Sequence, residues 1–296
     1  MRHFPVLLEA SLRFLNINPA GTYADVTGGL GGHTIAIAKR LTTGTVICLD
    51  RDAETLELAR RNAGELAERI VFRCSSFAEL SSTLASLGRP KVDGILADLG
   101  VSLYQLTEPE RGFSILSSGP LDMRMDRSQD VTAADLVNRL PERELVNLFV
   151  TLGDERRQTA ERIARALVRA RPLSTTGALA RAVETVVRRT GKLHPATRVF
   201  QALRMAVNDE PAQLDALLQQ APRWIRPGGR FVVIAFHSFD DRKIKQSFRQ
   251  LGRAGRAAVL TKHVVKPDAT EVRMNPPSRS AVLRAVEILR GDEDLE

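Results

Sequence analysis

A short acidic strand running into a turn with four glycines in five positions constrains this chain more than any other feature. Tyr23-Ala-Asp-Val-Thr-Gly-Gly-Leu-Gly-Gly-His33 leads directly into Thr34–Leu41, an apolar run at helical spacing. Tyr23 to Val26 reads as a buried strand with an acid near its end. The glycines carry no side chain that would keep a ligand from the backbone, and the helix behind them offers unpaired N–H groups. In an open α/β sheet, cofactors sit at the carboxyl ends of the strands. The pattern fits NAD, FAD, a nucleotide or S-adenosylmethionine, and a tight turn with no ligand is the plain structural alternative. The dinucleotide fingerprint fits imperfectly, because Thr34 stands where Gly29-x-Gly31 calls for a small residue.

The strand-to-helix alternation continues. Thr45–Leu49 is a near-continuous apolar run, as in a parallel strand covered on both faces. It ends at Asp50, roughly 20 residues past the glycines, where an acid is placed to accept hydrogen bonds from both hydroxyls of a ribose. The competing reading makes Asp50 an N-terminal charge for the helix Ala53–Leu66. Ile70–Cys74 is the next strand; Phe77 after it is either a purine-stacking ring or core. Beyond the break at Arg89-Pro90, Val92–Ala97 is a fourth strand that ends in Asp98-Leu-Gly-Val-Ser102. The repeat predicts a doubly wound parallel sheet.

The rhythm then breaks. No strand is expected from Gln105 to Arg204, and Ala133–Asn138, Glu142–Leu152, Glu155–Ala170 and Thr176–Thr190 read as helices. Between Arg156 and Arg204 there are 12 Arg and Lys against 2 Glu, an excess of +10 in a chain whose net charge is +8. Arg162, Arg165 and Arg169 share one helical face opposite Ile163, Leu167 and Ala170. With few acids for i,i+4 pairing, this face is either solvated or binds phosphate. The sheet resumes with helices over Phe200–Asn208 and Pro211–Trp224, a turn at Pro227-Gly-Gly, a fifth parallel strand Arg230–Phe236, and a helix Lys243–Leu251. His237 and Ser238 follow the fifth strand. Ala257–Thr261 and Ser280–Leu289 are expected to form a hairpin-like antiparallel edge, followed by a frayed acidic tail, Gly291–Glu296.

Positive charge favours an anionic partner, nucleic acid before membrane. Cys48 and Cys74 lie in apolar runs and are expected to be small buried hydrophobes in a reducing compartment. No run approaches membrane-spanning length and the start does not resemble a signal peptide, so a cytoplasmic protein with no membrane partner is expected. No Cys or His spacing suits a metal, and none is expected. Three functions fit the residues: a methyltransferase, an NAD-dependent dehydrogenase and a non-catalytic RNA-binding protein. Aromatic content of 5% argues against a stacking platform of the single-strand-binding kind.

Taken together, a set of blocks gives a sharper reading. They are His3-Phe-Pro-Val-Leu-Leu-Glu9, Asp25-Val-Thr-Gly-Gly-Leu-Gly-Gly-His33, Asp50-Arg-Asp52, Asp98-Leu-Gly-Val-Ser102, Glu110-Arg-Gly-Phe-Ser114, Gly119-Pro-Leu-Asp-Met-Arg-Met-Asp126, His194-Pro-Ala-Thr-Arg198, Phe200-Gln-Ala-Leu-Arg204, Phe236-His-Ser-Phe-Asp-Asp-Arg242 and Ser280-Ala-Val-Leu-Arg284. In these the chain resembles, nearly end to end, the bacterial 16S ribosomal RNA cytosine-N4 methyltransferases of the RsmH (MraW) type.

The resemblance implies a class I S-adenosylmethionine-dependent methyltransferase, a Rossmann-like doubly wound α/β sheet with an inserted helical domain. Its methyltransferase domain would comprise residues 1–106 and 205–296, and the insertion 107–204 would recognise RNA. It implies methylation of a cytosine in the decoding region of 16S ribosomal RNA, within a small-subunit particle. The cofactor contacts carried over are Gly31, Gly32, His33, Asp50, Phe77, Asp98 and Gln105. Asp98 is expected beside the methyl-transfer point, His237 and Ser238 at the base or its proton, and Arg162, Arg165, Arg169 and Arg198 on RNA. Two places depart from the family pattern: Leu103-Tyr104 follows Val101-Ser102 where a second serine is usual, and Pro277 replaces a common basic residue.

Overall fold

The computed structural model describes residues 5–88, 91–189, 191 and 193–290. His3-Phe4, the break at Arg89-Pro90, Thr190 at the end of an expected helix, and the acidic tail Gly291–Glu296 lie outside the described residues. The chain divides into two compact units, one made of Met1–Val101 with Pro211–Glu296, the other of Ser102–Glu210.

The first unit opens with helix α1 (Leu8–Leu15) and then alternates: β1 (Thr22–Asp25), α2 (Gly32–Ala38), β2 (Thr45–Asp50), α3 (Ala53–Ala63), β3 (Ile70–Cys74), α4 (Leu80–Ser86) and β4 (Val92–Asp98). The second unit holds α5 (Leu103–Thr107), α6 (Ala133–Arg139), α7 (Glu142–Thr151), α8 (Arg157–Arg169), α9 (Thr176–Glu184) and α10 (Thr197–Val207). Then come α11 (Glu210–Trp224), β5 (Ile225–Ala235), α12 (Ser238–Arg253), β6 (Ala257–Val259), α13 (Ala269–Met274) and β7 (Val282–Ile288).

The seven strands form one sheet in the order β3-β2-β1-β4-β5-β7-β6. β1 to β5 are mutually parallel, while β7 runs antiparallel to both β5 and β6. Chain order reverses between β1 and β4, and such a switch leaves a crevice at the strands' carboxyl ends. Alternate residues of the central strands point to opposite faces. Ile47, Leu49, Ile95, Ala97, Phe231 and Val233 meet Leu80, Leu84, Leu217, Ala221, Ile244 and Phe248 from α4, α11 and α12. Val46, Cys48, Leu96, Val232 and Ile234 meet Leu12, Leu15, Ile37, Leu56 and Ala59 from α1, α2 and α3. Burial on both faces is why these strands read as unbroken apolar runs. Each large apolar side chain so buried contributes about 1.5–3 kcal/mol, and Phe231→Ala in the strand core would cost about 3–5 kcal/mol.

Several expectations are corrected. Pro227-Gly-Gly is a bulge inside β5, with Val92 opposite Ile225 and Gly94 opposite Arg230. Gly228, at φ 81°, supplies the left-handed residue there. β6 and β7 are not joined as a hairpin: α13 intervenes, and β7 inserts between β5 and β6, which leaves β6 at the edge. α12 starts at Ser238, not Lys243, because Asp240 and Asp241 fit the first turn of a helix. Cys48 is buried, but Cys74 is exposed at the end of the edge strand β3.

In the second unit, α7 and α8 pack together and α10 packs on α7. α8 buries Ile163 and Leu167, as its apolar spacing predicts, together with Ala160 and Ala164, whereas Ala170, expected on the same face, lies exposed just past the helix. Arg111, 2% exposed, donates from Nη2 to the carbonyls of Arg124 (2.9 Å) and Met125 (3.0 Å). Its guanidinium also lies 5.9 Å from the Tyr104 ring centroid and 6.0 Å from that of Phe113. This organises the loop between α5 and α6. Leu103-Tyr104, a departure from the family pattern, forms the first turn of α5. Pro277 lies in a 3-10 turn, Pro276–Ser280.

Candidate active site

The glycine turn folds around a carboxylate that sequence reasoning noted but left out of the site. Asp25, 1% exposed at the end of β1, accepts from Thr34 Oγ1 (2.6 Å) through Oδ2 and from the Thr27 N–H (3.2 Å) through Oδ1. The Gly28 N–H donates to the Leu49 carbonyl at 2.7 Å, which ties the turn to β2. A Cβ at Gly28 would lie 2.4 Å from Cys48 Sγ. Gly31 has φ 85°, and a Cβ there would stand 3.3 Å from Ala59 and Ile35. Gly32 leaves room for Pro5, whose Cγ would be 2.5 Å from an added Cβ. The turn therefore needs glycine for its own close approaches, whatever it binds.

Asp50, at the end of β2, accepts the Gly29 N–H on Oδ2 (2.7 Å) and the Asp52 N–H on Oδ1 (2.9 Å). Helix α3 is capped by Asp52, which accepts from Glu54 N (3.1 Å) and Thr55 N (3.3 Å). The helix-capping alternative for Asp50 therefore falls to its neighbour. Burial pushes the Asp50 carboxyl up to about 6; the Asp52 and Gly29 N–H groups pull it down, and the charges of Asp52 and Asp25 add to the rise. Two backbone donors are thus too few to hold this carboxylate in its ordinary range.

Asp98 ends β4, next to β1 in the sheet. Its backbone N–H donates to Thr27 Oγ1 at 2.6 Å. Oδ1 is buried and, among the described residues, has no hydrogen-bond partner. Oδ2 lies 3.7 Å from His33 Nδ1. Burial, and then the Asp25 charge, push the Asp98 carboxyl well above its ordinary value. The His33 ring is 6% exposed, with Nε2 3.0 Å from the Val6 carbonyl oxygen. The N-terminal segment therefore enters the site, a contact with no signal in local periodicity.

The fold brings Gly31, Gly32, His33, Asp50 and Asp98 together at one edge of the sheet. Phe77 lies on the same edge: Ser75, two residues earlier, donates its N–H to the Asp50 carbonyl at 3.0 Å. The Phe77 ring is half-buried against the core. His237 and Ser238 follow β5, three and four residues past Ile234, which pairs with Asp98. Ser238 is exposed and opens α12. Arg284 in β7 clamps the same turn by donating to Asp241 at 2.6 and 3.0 Å. Gln105 belongs to the second unit, where its Oε1 accepts the Ser102 N–H at 3.0 Å in the capping box of α5.

Also in the second unit, Arg162, Arg165 and Arg169 line one groove of about 390 Å³ with Ala182, Thr185 and Val186 of the α9 region. Arg162 donates to the Val186 carbonyl, Arg165 lies 3.7 Å from Glu142, and Arg169 is exposed. Arg198, by contrast, pairs with Glu155 at 3.3 Å. Among the described residues, no group of three or more His, Cys, Asp or Glu could hold a metal, and no helix is long and apolar enough to cross a membrane.

The profile of the MraW methylase family matches residues 1–289. The chain is 55% identical over 286 residues to the ribosomal RNA small subunit methyltransferase H of Solibacter usitatus (strain Ellin6076), covering 97% of this chain and 99% of that one. It is 46% identical over 296 residues to the protein of the same name from Acidobacterium capsulatum, covering 97% and 98%. With that of Cyanothece sp. (strain PCC 7425) it shares 45% over 288 residues, covering 97% and 95%.

Proposed function

The chain belongs to the MraW methylase family, and on that premise we propose that it transfers a methyl group from S-adenosylmethionine to the exocyclic N4 of a cytosine in the decoding region of 16S ribosomal RNA. The observation that carries the reading is the trio of acids, Asp25, Asp50 and Asp98, at the carboxyl ends of β1, β2 and β4, gathered around the glycine turn at the sheet's switch point.

The residues present fit the cofactor. Asp50 accepts only one backbone N–H on each oxygen, so it retains lone pairs for the two hydroxyls of a ribose. The backbone at Gly31 and Gly32 approaches ligand space without side chains. His33 has both ring nitrogens turned into the protein, so its contact with the cofactor falls to its backbone. Phe77 is assigned to the adenine edge. Gln105 completes the cofactor set carried over from the family. When bound, the sulfonium supplies an already activated methyl group.

Asp98 performs the step that the target requires. The N4 lone pair of cytosine is delocalised into the ring, so the amine is a poor nucleophile. An ionised carboxylate that accepts one N4–H draws the lone pair out and takes up the proton as the N–C bond forms. A desolvated carboxylate is also more basic than a solvated one, which is the direction of the shift at Asp98. The Asp98 carboxylate, whose side chain is 24% exposed and whose Oδ1 has no hydrogen-bond donor among the described residues, is the group assigned to that N–H. His237 and Ser238 hold the base or relay its proton. The second unit recognises the RNA, with Arg162, Arg165 and Arg169 on phosphates. Arg198 contributes once its pair with Glu155 exchanges for a phosphate. The base is reached in a single-stranded or flipped-out state. The partner is ribosomal RNA within a small-subunit particle, and the enzyme works in the cytoplasm.

Mass mapping of 16S RNA tests the reading. One decoding-region cytosine is expected to carry the mass of an added methyl group on N4 only when the protein is present. Purified protein plus S-adenosylmethionine should restore it on particles from a strain lacking the gene. Unchanged RNA with bound cofactor would overturn the proposal.

A further inference from the structure

The ring of His33 is held through Nε2 and faces a carboxylate with Nδ1, and its orientation carries chemical information. The Val6 carbonyl can only accept, so Nε2, 3.0 Å away, bears a hydrogen. In the neutral ring that leaves the lone pair of Nδ1 facing Asp98 Oδ2 at 3.7 Å. A lone pair and a carboxylate oxygen repel each other; a proton on Nδ1 turns the same geometry into an ion pair. Among the described residues, His33 is the one group of potential positive charge within ion-pair distance of Asp98.

Other neighbours act against ionisation or are neutral. Asp25 on β1 adds a like charge. Asp50 on β2 is a further acid at the same edge. Thr27 Oγ1 serves the Asp98 backbone and not its carboxylate. On β5, the register partner of Asp98 is the apolar Ile234, with His237 three residues further on. Behind α2, Glu9 of α1 is exposed and pairs with Arg40 at 3.4 Å.

We propose that His33 is a positioning residue for methyl transfer: its imidazolium, oriented by the Val6 carbonyl, keeps Asp98 ionised so that its carboxylate can accept an N–H of the target amino group. This rests on the role given to Asp98 above. In the transfer, the N4 lone pair forms the N–C bond, the electrons of the S–C bond remain on sulfur, and one N4 proton passes to the Asp98 carboxylate and then to solvent. The His33–Asp98 pair thus gains one proton in the step, before release. Without the imidazolium, Asp98 would be shifted toward its protonated form, which accepts an N–H more weakly and cannot take up the proton.

His33→Gln tests this, because its amide can still donate to the Val6 carbonyl but carries no charge. Single-turnover methyl transfer to small-subunit particles lacking the modification is followed across pH at saturating S-adenosylmethionine. Loss of an opposite charge at this distance moves a carboxylate up by about 1–3 pH units, so the acid limb of the His33→Gln profile should move up by that amount. The rate deficit should be about tenfold or more at the acid end and should close as pH rises. A deficit equal at every pH, or an unmoved acid limb, would overturn the inference.

Asp98→Asn separates the two readings. If it keeps the native rate, the role of Asp98 fails; if it is inactive while His33→Gln keeps the native limb, only the role of His33 fails. Should His33→Gln not fold, nitrogen NMR of the His33 ring in native protein and in Asp98→Asn decides. The titration midpoint of the ring should move down when the carboxylate is removed, and an unchanged midpoint would refute the pairing.

Discussion

Asp50, the proposed acceptor for the ribose hydroxyls, gives the most direct handle on cofactor binding. Its carboxyl titrates at about 6 in the free protein, against an ordinary 3.8. The group is an acid whose folded value is raised. Its favourable contribution to the unliganded fold is therefore full below about pH 4 and lost as pH rises through about 6. That leaves a neutral-pH cost of about 3 kcal/mol for holding the charge in place. Ribose hydroxyls that donate to Asp50 act on this cost, because they stabilise the ionised form. The liganded carboxyl should therefore titrate below the free one. Affinity should be flat above about pH 6 and should fall about tenfold for each unit below it, down to the liganded value. Binding between about pH 5 and 6 should release a proton.

Calorimetry with S-adenosylhomocysteine, in two buffers of different ionisation enthalpy at each pH, measures both quantities. Asp50→Asn should remove this part of the slope and weaken neutral-pH affinity by about 10- to 100-fold, since a charge-assisted acceptor is worth about 1.5–3 kcal/mol. The amide offers one acceptor where the Gly29 and Asp52 N–H groups together require two. Slope remaining in the variant belongs to Asp98 and to the ligand's own ionisation. If native protein and Asp50→Asn show the same slope, the hydroxyl-acceptor role is wrong.

Gly28→Ala should destabilise the protein by about 1–3 kcal/mol in urea unfolding, because its Cβ would meet Cys48 Sγ at 2.4 Å. Adding Cys48→Ala should recover part of that loss, and strict additivity of the two changes would argue against the clash. Asp241→Ala leaves the Arg284 guanidinium, 8% exposed, without its carboxylate. It should cost about 2–4 kcal/mol by thermal or denaturant unfolding, whereas an exposed pair would cost under about 1 kcal/mol. Replacing Arg162, Arg165 and Arg169 together with alanine should flatten the dependence of log Kd for RNA on log salt by about 2–3, roughly one per phosphate contact; an unchanged slope would clear the groove of that role.

What could be read from the sequence is what depends on local pattern. β2 and β4 were legible because helices cover both faces, which makes Thr45–Leu49 and Val92–Ala97 continuously apolar. α8 was legible because Ile163 and Leu167 repeat at helical spacing opposite its arginines. Cys74 was misread because the apolar run Ile70–Phe72 does not reveal that β3 is the sheet's edge. Pro227-Gly-Gly signals a turn in any local reading, and only the neighbouring strand β4 turns it into a bulge. The pairing of His33 with Asp98 spans 65 positions of sequence, and that of His33 with Val6 depends on where the N-terminal segment docks. No periodicity encodes either contact. Asp25 was visible as an acid at a strand end, but its role as the centre of the glycine turn needs Thr34 in three dimensions.

The three acids differ in how well the protein satisfies them, and that difference sorts them by role. Asp25 accepts from a backbone N–H and two threonine hydroxyls and is almost completely shielded, so it has little left to offer a ligand. Asp50 has one backbone donor on each oxygen and its carboxyl is still pushed up to about 6, so further donors would be favourable there. Among the described residues, Asp98 has an oxygen with no donor and only a distant imidazole on the other. A fold selected for stability alone would fill or delete such a group, since a buried unpaired acceptor costs about 1–3 kcal/mol. The deficit grows from β1 to β2 on one side and to β4 on the other. It is smallest where the turn is organised, intermediate at the proposed ribose acceptor, and largest at the proposed proton acceptor. The proposed structural, binding and chemical roles thus track how many donors each carboxylate lacks.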